Sequence, residues 1–448
     1  MTRLPFSGSF TQFRLLVLGL LAFSACTDST PPSAPLPRGI ALAASSGAPT
    51  VKSTNPDTAT VDSTLNVHVF GSGFDVGSRA QWALNGVPTG KIVTNSTQFV
   101  SSSELVANIS IARDAPLASY DVIVTTSSGK GGIGTELFVV TVKTTDLGTL
   151  GGAASEALGV NNSTQVVGWS NIPSGDEHAF LWTKAGGMRD IGTLGGSSSR
   201  ATAINDNGQV VGSALTSSGE RHAFLWTATD GMRDIGTLGG VYSAALAISK
   251  NGAIVGGSFV SGGGSEWAFF WFAGVMENIG TKFSRALGVN SAFQVVGCDC
   301  SSASRVMLWT KSGTTWTSQA LVIPNASSSM PYAINDLGQV IGGFSPLSGG
   351  GSSFSWTRDG GAKELPSLPR QTYTWAYALS ATGRIGGYLS NNTGTSAAVW
   401  DPTTNGWTAQ IVAKTPRGSS RINALNDNHQ AVGFAKTPNL RATLWDVP

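Results

Sequence analysis

Charged side chains are scarce in this sequence: Asp, Glu, Lys and Arg together make up 12% of its 448 residues, whereas soluble domains usually carry about 25%. Residues 1–25 hold two of the 28 basic side chains, Arg3 and Arg14, and no acid, which leaves 26 basic and 26 acidic side chains in the remainder. A net charge near zero lacks the basic footprint of a nucleic-acid-binding protein. We therefore expect no nucleic-acid partner.

Long apolar runs are also scarce. The N-terminal run Leu15–Phe23 has nine residues, too few for a bilayer core, which needs about 20. Arg3 and Arg14 precede the run and small residues follow it, which is the pattern of a secretory signal peptide. We therefore predict that residues 1–25 are a signal peptide and that the chain is exported.

The end of this segment, Phe23-Ser24-Ala25-Cys26, resembles the lipobox of bacterial lipoproteins. It departs from that pattern in having Phe23 where Leu is usual. The resemblance implies a lipid on Cys26 and a place in the cell envelope, at the outer membrane if the host is Gram-negative. The alternative is an ordinary signal peptide with a Cys near its cleavage site.

Residues 26–48 are rich in Ser, Thr, Pro and Ala, a composition typical of an extended linker. Residues 49–143 instead alternate with the period of β-strands, as in Leu65, Val67 and Val69. Turn signals such as Asn85-Gly86 separate the strands. About seven short strands in this length predict an Ig-like β-sandwich.

Three segments of residues 49–143 carry a closer likeness: Asn55-Pro56, Gly71-Ser72-Gly73-Phe74 and Tyr120-Asp121-Val122-Ile123-Val124. They resemble the IPT/TIG family of Ig-like domains. Such domains are commonly spacers or adhesive modules, so the resemblance implies no chemistry here.

Residues 146–448 repeat one pattern seven times: an aliphatic residue, Asn or Ser, a turn, and apolar residues that end in Gly. The closing glycines are Gly168, Gly212, Gly256, Gly297, Gly342, Gly387 and Gly433. An apolar strand that ends in Trp follows each one, with the tryptophans at Trp182, Trp226, Trp271, Trp309, Trp356, Trp400 and Trp445. Four strands in about 44 residues match a propeller blade, so the repeats predict a seven-bladed β-propeller. The predicted fold class is all-β, an Ig-like β-sandwich followed by this propeller.

The repeat array begins with a strand of the fourth type and ends with a strand of the third type, at Trp445. We therefore predict that residues 146–150 supply the outer strand of the seventh blade and close the ring. An open solenoid is the competing architecture, and it would leave two sheet edges to cap.

The repeats contain His-Ala-Phe-Leu-Trp at 178–182 and 222–226 and a Leu/Ile-Gly-Thr-Leu-Gly-Gly motif at 147–152, 191–196 and 235–240. They resemble the HAF extracellular repeat family, most clearly in the first three units. That family has no well-defined activity to imply.

Histidine and cysteine offer few sites for chemistry. The position of His178 and His222 holds other residues in other units, such as Trp267 and Arg305, so we interpret it as a strand entrance and expect no metal and no cofactor. Cys298 and Cys300 are separated by one residue. A disulfide between them, free or exchanged thiols, and a metal or redox role remain the alternatives.

Alignment of the units finds one variable position, four residues before the aliphatic residue. It holds Glu156, Arg200, Ala244, Arg285, Met330, Trp375 and Arg421. In propellers the loop into the innermost strand borders the channel mouth, so Glu156, Arg200, Arg285, Trp375 and Arg421 are the candidate ligand-binding residues. Arg pairing and Trp stacking there would suit an anionic or sugar ligand; a solvated rim is the alternative.

One residue earlier, every unit has a hydroxyl, from Ser155 to Ser420. We predict that this residue bonds the backbone at a turn.

These patterns predict a non-catalytic binding or interaction module, monomeric and reaching the membrane only through its lipid. Its ligand would be a protein or a glycan. The alternative is a propeller-type glycan hydrolase or lyase, which would need two carboxyl groups facing one pocket. The predicted mouth supplies Glu156, whereas Asp206, Asp336 and Asp427 fall in hairpins expected on the opposite face.

Overall fold

The computed structural model describes residues 47–301, 304–391, 394–404, 406–413, 419–436 and 439–448. Within these ranges all regular secondary structure is β-strand, as the sequence predicts. No helix in the described part is long and apolar enough to cross a membrane. The predicted signal peptide, Cys26 and most of the predicted linker lie outside the described residues.

The first nine strands form two sheets around one core. They are β1 (Thr50–Asn55), β2 (Thr58–Thr60), β3 (Ser63–Ser72), β4 (Arg79–Leu84), β5 (Val87–Pro88), β6 (Ile92–Ser101), β7 (Glu104–Ile111), β8 (Ser119–Thr125) and β9 (Gly131–Thr141). One sheet has the order β1-β3-β7-β6 and the other β2-β9-β8-β4-β5. Val67 and Val69 of β3 are fully buried with Tyr120 and Val122 of β8, so the alternation read from the sequence places one face of each sheet in this core.

The strands that follow group into seven antiparallel units. After β10 (Lys143–Asp146), unit 1 contains β11 (Ser155–Val160), β12 (Val166–Asn171), β13 (Glu177–Thr183) and β14 (Gly187–Asp190). Unit 2 contains β15 (Gly195–Ile204), β16 (Val210–Thr216), β17 (Arg221–Thr227) and β18 (Gly231–Asp234). Unit 3 contains β19 (Gly239–Ile248), β20 (Ile254–Val260), β21 (Glu266–Phe272) and β22 (Val275–Asn278). Units 4 and 5 contain β23 (Ser284–Val289), β24 (Gln294–Asp299), β25 (Arg305–Ser312), β26 (Thr315–Ala320); and β27 (Ala326–Ile334), β28 (Val340–Pro346), β29 (Ser352–Thr357), β30 (Gly361–Glu364). Units 6 and 7 contain β31 (Tyr373–Leu379), β32 (Ile385–Asn391), β33 (Gly394–Thr403), β34 (Gly406–Ala413); and β35 (Ser419–Leu425), β36 (Gln430–Lys436), β37 (Leu440–Asp446).

Neighbouring units share their hydrophobic cores. One cluster joins unit 1 to unit 2 through Val167, Leu181 and Trp226, and similar clusters join each unit to the next. A further cluster joins unit 7 to unit 1 through Val432 and Phe180. Each sheet therefore buries both faces against its neighbours, and the succession of units closes on itself.

The strand that completes unit 7 comes from the start of the array. β10 pairs with β37, and the Leu147 N–H donates to the Ala442 carbonyl at 2.9 Å. The prediction that an early strand closes unit 7 is confirmed, but its position is corrected from residues 146–150 to Lys143–Asp146. The ladder stops here because Gly148, with φ at +79°, turns the chain away.

The closing glycine of each unit has a steric cause. In every unit the innermost strand shifts register by a bulge, as between Ala157 and Gly159. The bulge brings a backbone carbonyl against the glycine of the next strand: a Cβ on Gly168 would lie 2.0 Å from the Glu156 oxygen, and one on Gly387 would lie 1.8 Å from the Trp375 oxygen. No side chain fits there, which explains why all seven copies have Gly.

The hydroxyl position bonds the backbone, as predicted. Ser199 Oγ donates to the Gly192 carbonyl at 2.5 Å and accepts the Ala179 N–H at 2.8 Å. Ser155 makes the matching pair of bonds to Gly148 and to Ala442 of unit 7. With the matching bonds of Ser243, Ser284, Thr374 and Ser420, these buried hydroxyls tie the innermost strands of six units to the preceding unit.

At the hairpin between the first two strands of each unit, buried Asn or Ser side chains form a ring, and in five of the seven units the Asn side chain bonds the following hairpin. Asn161 Nδ2 donates to the Asn205 carbonyl at 3.1 Å, and Asn205 Nδ2 donates to the Ser249 carbonyl at 3.1 Å. Asn290, Asn335 and Asn426 make the same bond to the following unit, and the Asn426 bond reaches Asn161 at 3.0 Å. The first and last units are thereby hydrogen-bonded as ordinary neighbours.

Candidate functional site

The five candidate residues lie where the innermost strand faces the neighbouring unit. Each pairs across the strands with the residue just after a closing glycine: Glu156 with Trp169, Arg200 with Ser213, Arg285 with Cys298, Trp375 with Tyr388 and Arg421 with Phe434. Paired residues share one face of an antiparallel sheet, and here that face meets the preceding unit.

Glu156 and Arg421 form one ion pair between units 1 and 7. Arg421 Nη2 lies 2.6 Å from Glu156 Oε1, which also accepts the Asn423 amide at 2.9 Å. Trp169 Nε1 donates to the other oxygen of Glu156 at 3.2 Å. The Glu156 carboxylate is buried and satisfied by three donors, so it holds the closing units together.

Arg200 and Arg285 are paired with carboxylates as well. The Arg200 guanidinium lies 4.8 Å above the Trp169 ring and 3.5 Å from Glu177. Arg285 Nε donates to Glu266 at 2.8 Å. An anionic ligand would therefore compete with a carboxylate at each arginine of the predicted ring.

The sequence reasoning missed Glu177 and Glu266, which begin the third strands of units 1 and 3. Their position in the sequence could have indicated them, because each stands directly before His178 or Trp267, at the variable strand entrance.

Trp375 has a different environment from the arginines. It stacks with Tyr388 at 6.4 Å between ring centres. On its other side it crosses to unit 5, where a Cβ on Gly343 would come within 3.0 Å of the indole. The indole is half-buried, so it both packs between two units and reaches solvent.

Two further tyrosines join Trp375. The Tyr377 ring lies 4.8 Å from Tyr332 and 6.0 Å from Tyr388, and the Arg421 guanidinium lies 5.2 Å from Tyr377. We call Tyr332, Trp375, Tyr377 and Tyr388 the aromatic group. Tyr332 and Tyr377 lie two residues before the aliphatic position, where the other units have Leu158, Thr202, Leu246, Leu287 and Asn423. The two tyrosines at this position are a sequence signal for the site, and the sequence analysis did not use it.

Burial changes the acidity of this group. It raises the pKa of Tyr332 to about 12, with the nearby Tyr377 adding to the effect. Burial also raises the pKa of Tyr388, again helped by Tyr377. Both phenols therefore stay protonated, and able to donate hydrogen bonds, well above neutral pH.

The raised tyrosine pKa values predict a loss of stability in alkali. Above the ordinary pKa of about 10 the unfolded chain loses its phenol protons while Tyr332 keeps its own, so the free energy of unfolding falls as pH rises from about 10 to 12. Urea unfolding at pH 9 and pH 11 measures this loss, and Tyr332→Phe should reduce it. A loss of equal size in Tyr332→Phe would contradict the assignment.

The remaining candidates are accounted for by local contacts. His178 Nδ1 lies 2.7 Å from Asp190 and His222 Nδ1 lies 2.6 Å from Asp234, so each histidine faces the last strand of its own unit. The described ranges contain no group of three His, Cys, Asp or Glu side chains that could hold a metal ion. The structure joins Cys298 and Cys300 in a disulfide, with Cα atoms 5.1 Å apart.

The polar side chains of the hairpins between the first two strands of each unit also bond neighbouring hairpins. A cavity of about 150 Å³ there is lined by Asn162, Asp206, Lys250 and Asp427 among others. Asp206 accepts the Asn162 N–H at 2.9 Å, and Asp427 accepts the Ala381 N–H at 2.9 Å. Asn162 Nδ2 also donates to both carboxylates, at 3.0 Å to Asp206 and 3.3 Å to Asp427, so these groups link neighbouring hairpins.

No protein-family model matches the sequence, and no curated protein is similar to it. Among solved structures, the chain is similar at 8% identity to TolB from Acinetobacter baumannii, with a TM-score of 0.35 over 69% of this chain and 63% of that one. It is similar at 10% identity to a post-proline cleaving enzyme from Rickettsia typhi, with a TM-score of 0.45 over 65% of this chain and 51% of that one. A lectin from Aleuria aurantia gives a TM-score of 0.35 at 11% identity, over 62% of this chain and 97% of the lectin. The chain thus spans less than two thirds of the TolB and Rickettsia structures.

Proposed function

We propose that this chain is an exported, lipid-anchored surface protein that acts as a non-catalytic binding module. In this proposal an Ig-like domain of the IPT/TIG type carries a seven-bladed β-propeller of HAF-type repeats. The shared cores that return from unit 7 to unit 1 support the propeller. In the first domain, the Tyr120 hydroxyl donates to the Pro116 carbonyl at 3.0 Å, a bond of the kind found at the tyrosine corner of Ig-like domains.

The observation that carries the binding function is the aromatic group in units 5 and 6. Four aromatic rings meet there, whereas units 1 to 4 and unit 7 have no aromatic residue at the positions of Trp375 and Tyr377. All four are only partly buried. Half-exposed aromatic rings with polar tips are typical of ligand-binding surfaces, because the ring supplies contact area and the tip supplies hydrogen bonds.

The carboxylates of this face favour binding over catalysis. A glycosidase needs one carboxyl group free to give a proton and another to act as base or nucleophile. Glu156, Glu177 and Glu266 each lie in an ion pair with an arginine of the predicted ring. Their contacts are those of groups that hold neighbouring strands and units together.

Removal of the indole at Trp375 should abolish most ligand binding. We expect the purified chain to bind at least one member of a panel of neutral oligosaccharides, acidic oligosaccharides and unmodified peptides, without converting it. Trp375→Ala should weaken that binding about tenfold or more, because a stacked aromatic contact contributes on the order of 1 kcal/mol or more. Calorimetry measures the affinity and chromatography of the ligand detects conversion.

Trp267→Ala is the matched control, since Trp267 is also half-buried but is the second residue of the third strand of unit 3, outside the aromatic group. It should leave the affinity unchanged. Conversion of a bound glycan would contradict the non-catalytic assignment. Equal affinities of Trp375→Ala and the unaltered chain would remove the aromatic group as the site.

A further inference from the structure

We propose that the ligand is a neutral oligosaccharide that lies along the first strand of unit 6, over Tyr373, Trp375 and Tyr377. This inference rests on the proposed function, because it names the ligand class of the same site. It adds Tyr373, which the alignment did not single out, as the outer end of the binding surface.

The strand geometry sets the three rings in a row. Tyr373 pairs with Ser390 and Trp375 with Tyr388, and alternate residues of a strand point to the same side, about 7 Å apart. The register shift between Ala376 and Ala378 places Tyr377 at the bulge, where its ring contacts Tyr332 and Tyr388. The row is longer than one sugar ring, so it suits a chain of sugars.

Exposure increases along this row toward its outer end. Tyr373 is 38% exposed, whereas Trp375 and Tyr377 are partly buried. The neighbouring loop of unit 5 consists of Gly349, Gly350 and Gly351, which have no side chains to cover the rings. A Cβ on Gly351 would lie 3.3 Å from Trp375, and one on Gly350 would lie 3.8 Å from Tyr373. The glycines leave the backbone groups of this loop close to the rings, where sugar hydroxyls could bond them.

The charges around the row favour a neutral ligand over an acidic one. Arg421, the arginine nearest the aromatic group, is held 2.6 Å from Glu156 and stacks on Tyr377 and Phe434 at 5.2 and 5.1 Å. A carboxylate or sulfate on the ligand would compete with Glu156 for this guanidinium and would be repelled by the Glu156 carboxylate. Sugar hydroxyls need no countercharge, and Tyr332 and Tyr388 are protonated donors at neutral pH.

The test uses the purified chain with neutral gluco-, manno- and N-acetylglucosamine oligosaccharides of one to six units, and with acidic uronic-acid and sialylated oligosaccharides. We expect binding to a neutral series, with affinity rising from one unit to about three and little effect of salt. Tyr373→Ala should weaken binding of the trisaccharide about tenfold and leave the monosaccharide unchanged.

Tyr242→Ala is the control, since Tyr242 stands six residues before Ile248 in unit 3 just as Tyr373 stands six before Leu379. It should not change the affinity. Because Tyr373 is the most exposed ring of the row, its variant should fold even if Trp375→Ala does not.

Two results would overturn the inference but leave the binding module in place: binding to acidic oligosaccharides alone, or to peptides alone. An affinity that does not change with oligosaccharide length, or that Tyr373→Ala leaves unaltered, would overturn the extended site. If nothing in the panel of peptides and sugars binds, the proposed function fails together with the inference.

Discussion

Thr145→Pro is expected to lower the free energy of unfolding by about 2 kcal/mol, while Thr144→Pro should lower it by less than about 0.5 kcal/mol. The two positions differ in where the backbone N–H points. Leu147 donates to Ala442, and hydrogen-bonded pairs alternate along an antiparallel ladder. The Thr145 N–H is therefore the next donor, toward Leu444, and the Thr144 N–H faces away from β37.

Proline at an edge strand is tolerated where its missing N–H would face solvent. At Thr145 it would instead remove a donor from the strand that completes unit 7 and leave the Leu444 carbonyl without its partner. Because β10 comes from the start of the array and β37 from its end, this loss weakens the closure between them. Urea unfolding followed by Trp fluorescence measures both variants. Equal midpoints for the two would show that the pairing of β10 contributes little to stability.

Asn335→Ala, as a separate single substitution, should lower the free energy of unfolding by a larger amount, about 3 kcal/mol. The Asn335 side chain is buried, its oxygen accepts the N–H groups of Leu337 and Gln339 at 3.1 and 3.0 Å, and its nitrogen donates to the Ser380 carbonyl at 3.1 Å. Alanine leaves these three backbone groups without that partner, two of them buried and the Leu337 N–H part-buried, each at a cost of about 1 kcal/mol.

The chain itself provides the control for this substitution. Units 3 and 6 have Ser249 and Ser380 at the same position, and their hydroxyls accept the N–H groups of Ala253 and Arg384 at 3.0 Å. Asn335→Ser should therefore keep a bond within the turn, lose the bond to unit 6, and cost about half as much as alanine. If the free energy of unfolding of Asn335→Ala lay within about 0.5 kcal/mol of that of the unaltered chain, the ring of hairpin side chains would not contribute to holding the units together.

The repeat allowed the organisation of residues 146–448 to be predicted in some detail. The third strand of the first unit was expected to end at Trp182, and the structure has this strand at Glu177–Thr183. Six of the seven repeated tryptophans are buried, and Trp356 is partly buried. A pattern copied seven times averages out local exceptions, which is why it was informative.

The candidate site could be predicted only in part. Alignment found the position of Arg200 and Arg285 but not their partners Glu177 and Glu266, because those carboxylates belong to other strands of the preceding unit. It found Trp375 but not Tyr332 and Tyr377. Residues that meet across two units have no fixed spacing in the sequence, so their contacts depend on how the sheets stack.

The sequence by itself determined the number of repeated units, their strands, the hydroxyls that bond the backbone and the absence of long apolar runs, because each of these depends on local periodicity. Only the tertiary structure decided three other features: the closing strand is Lys143–Asp146, the arginines of the variable position are already paired, and the aromatic rings of units 5 and 6 gather into one group. The physical reason is that these contacts join residues up to 303 positions apart, as in Lys143 and Asp446, and the packing of neighbouring sheets brings them together.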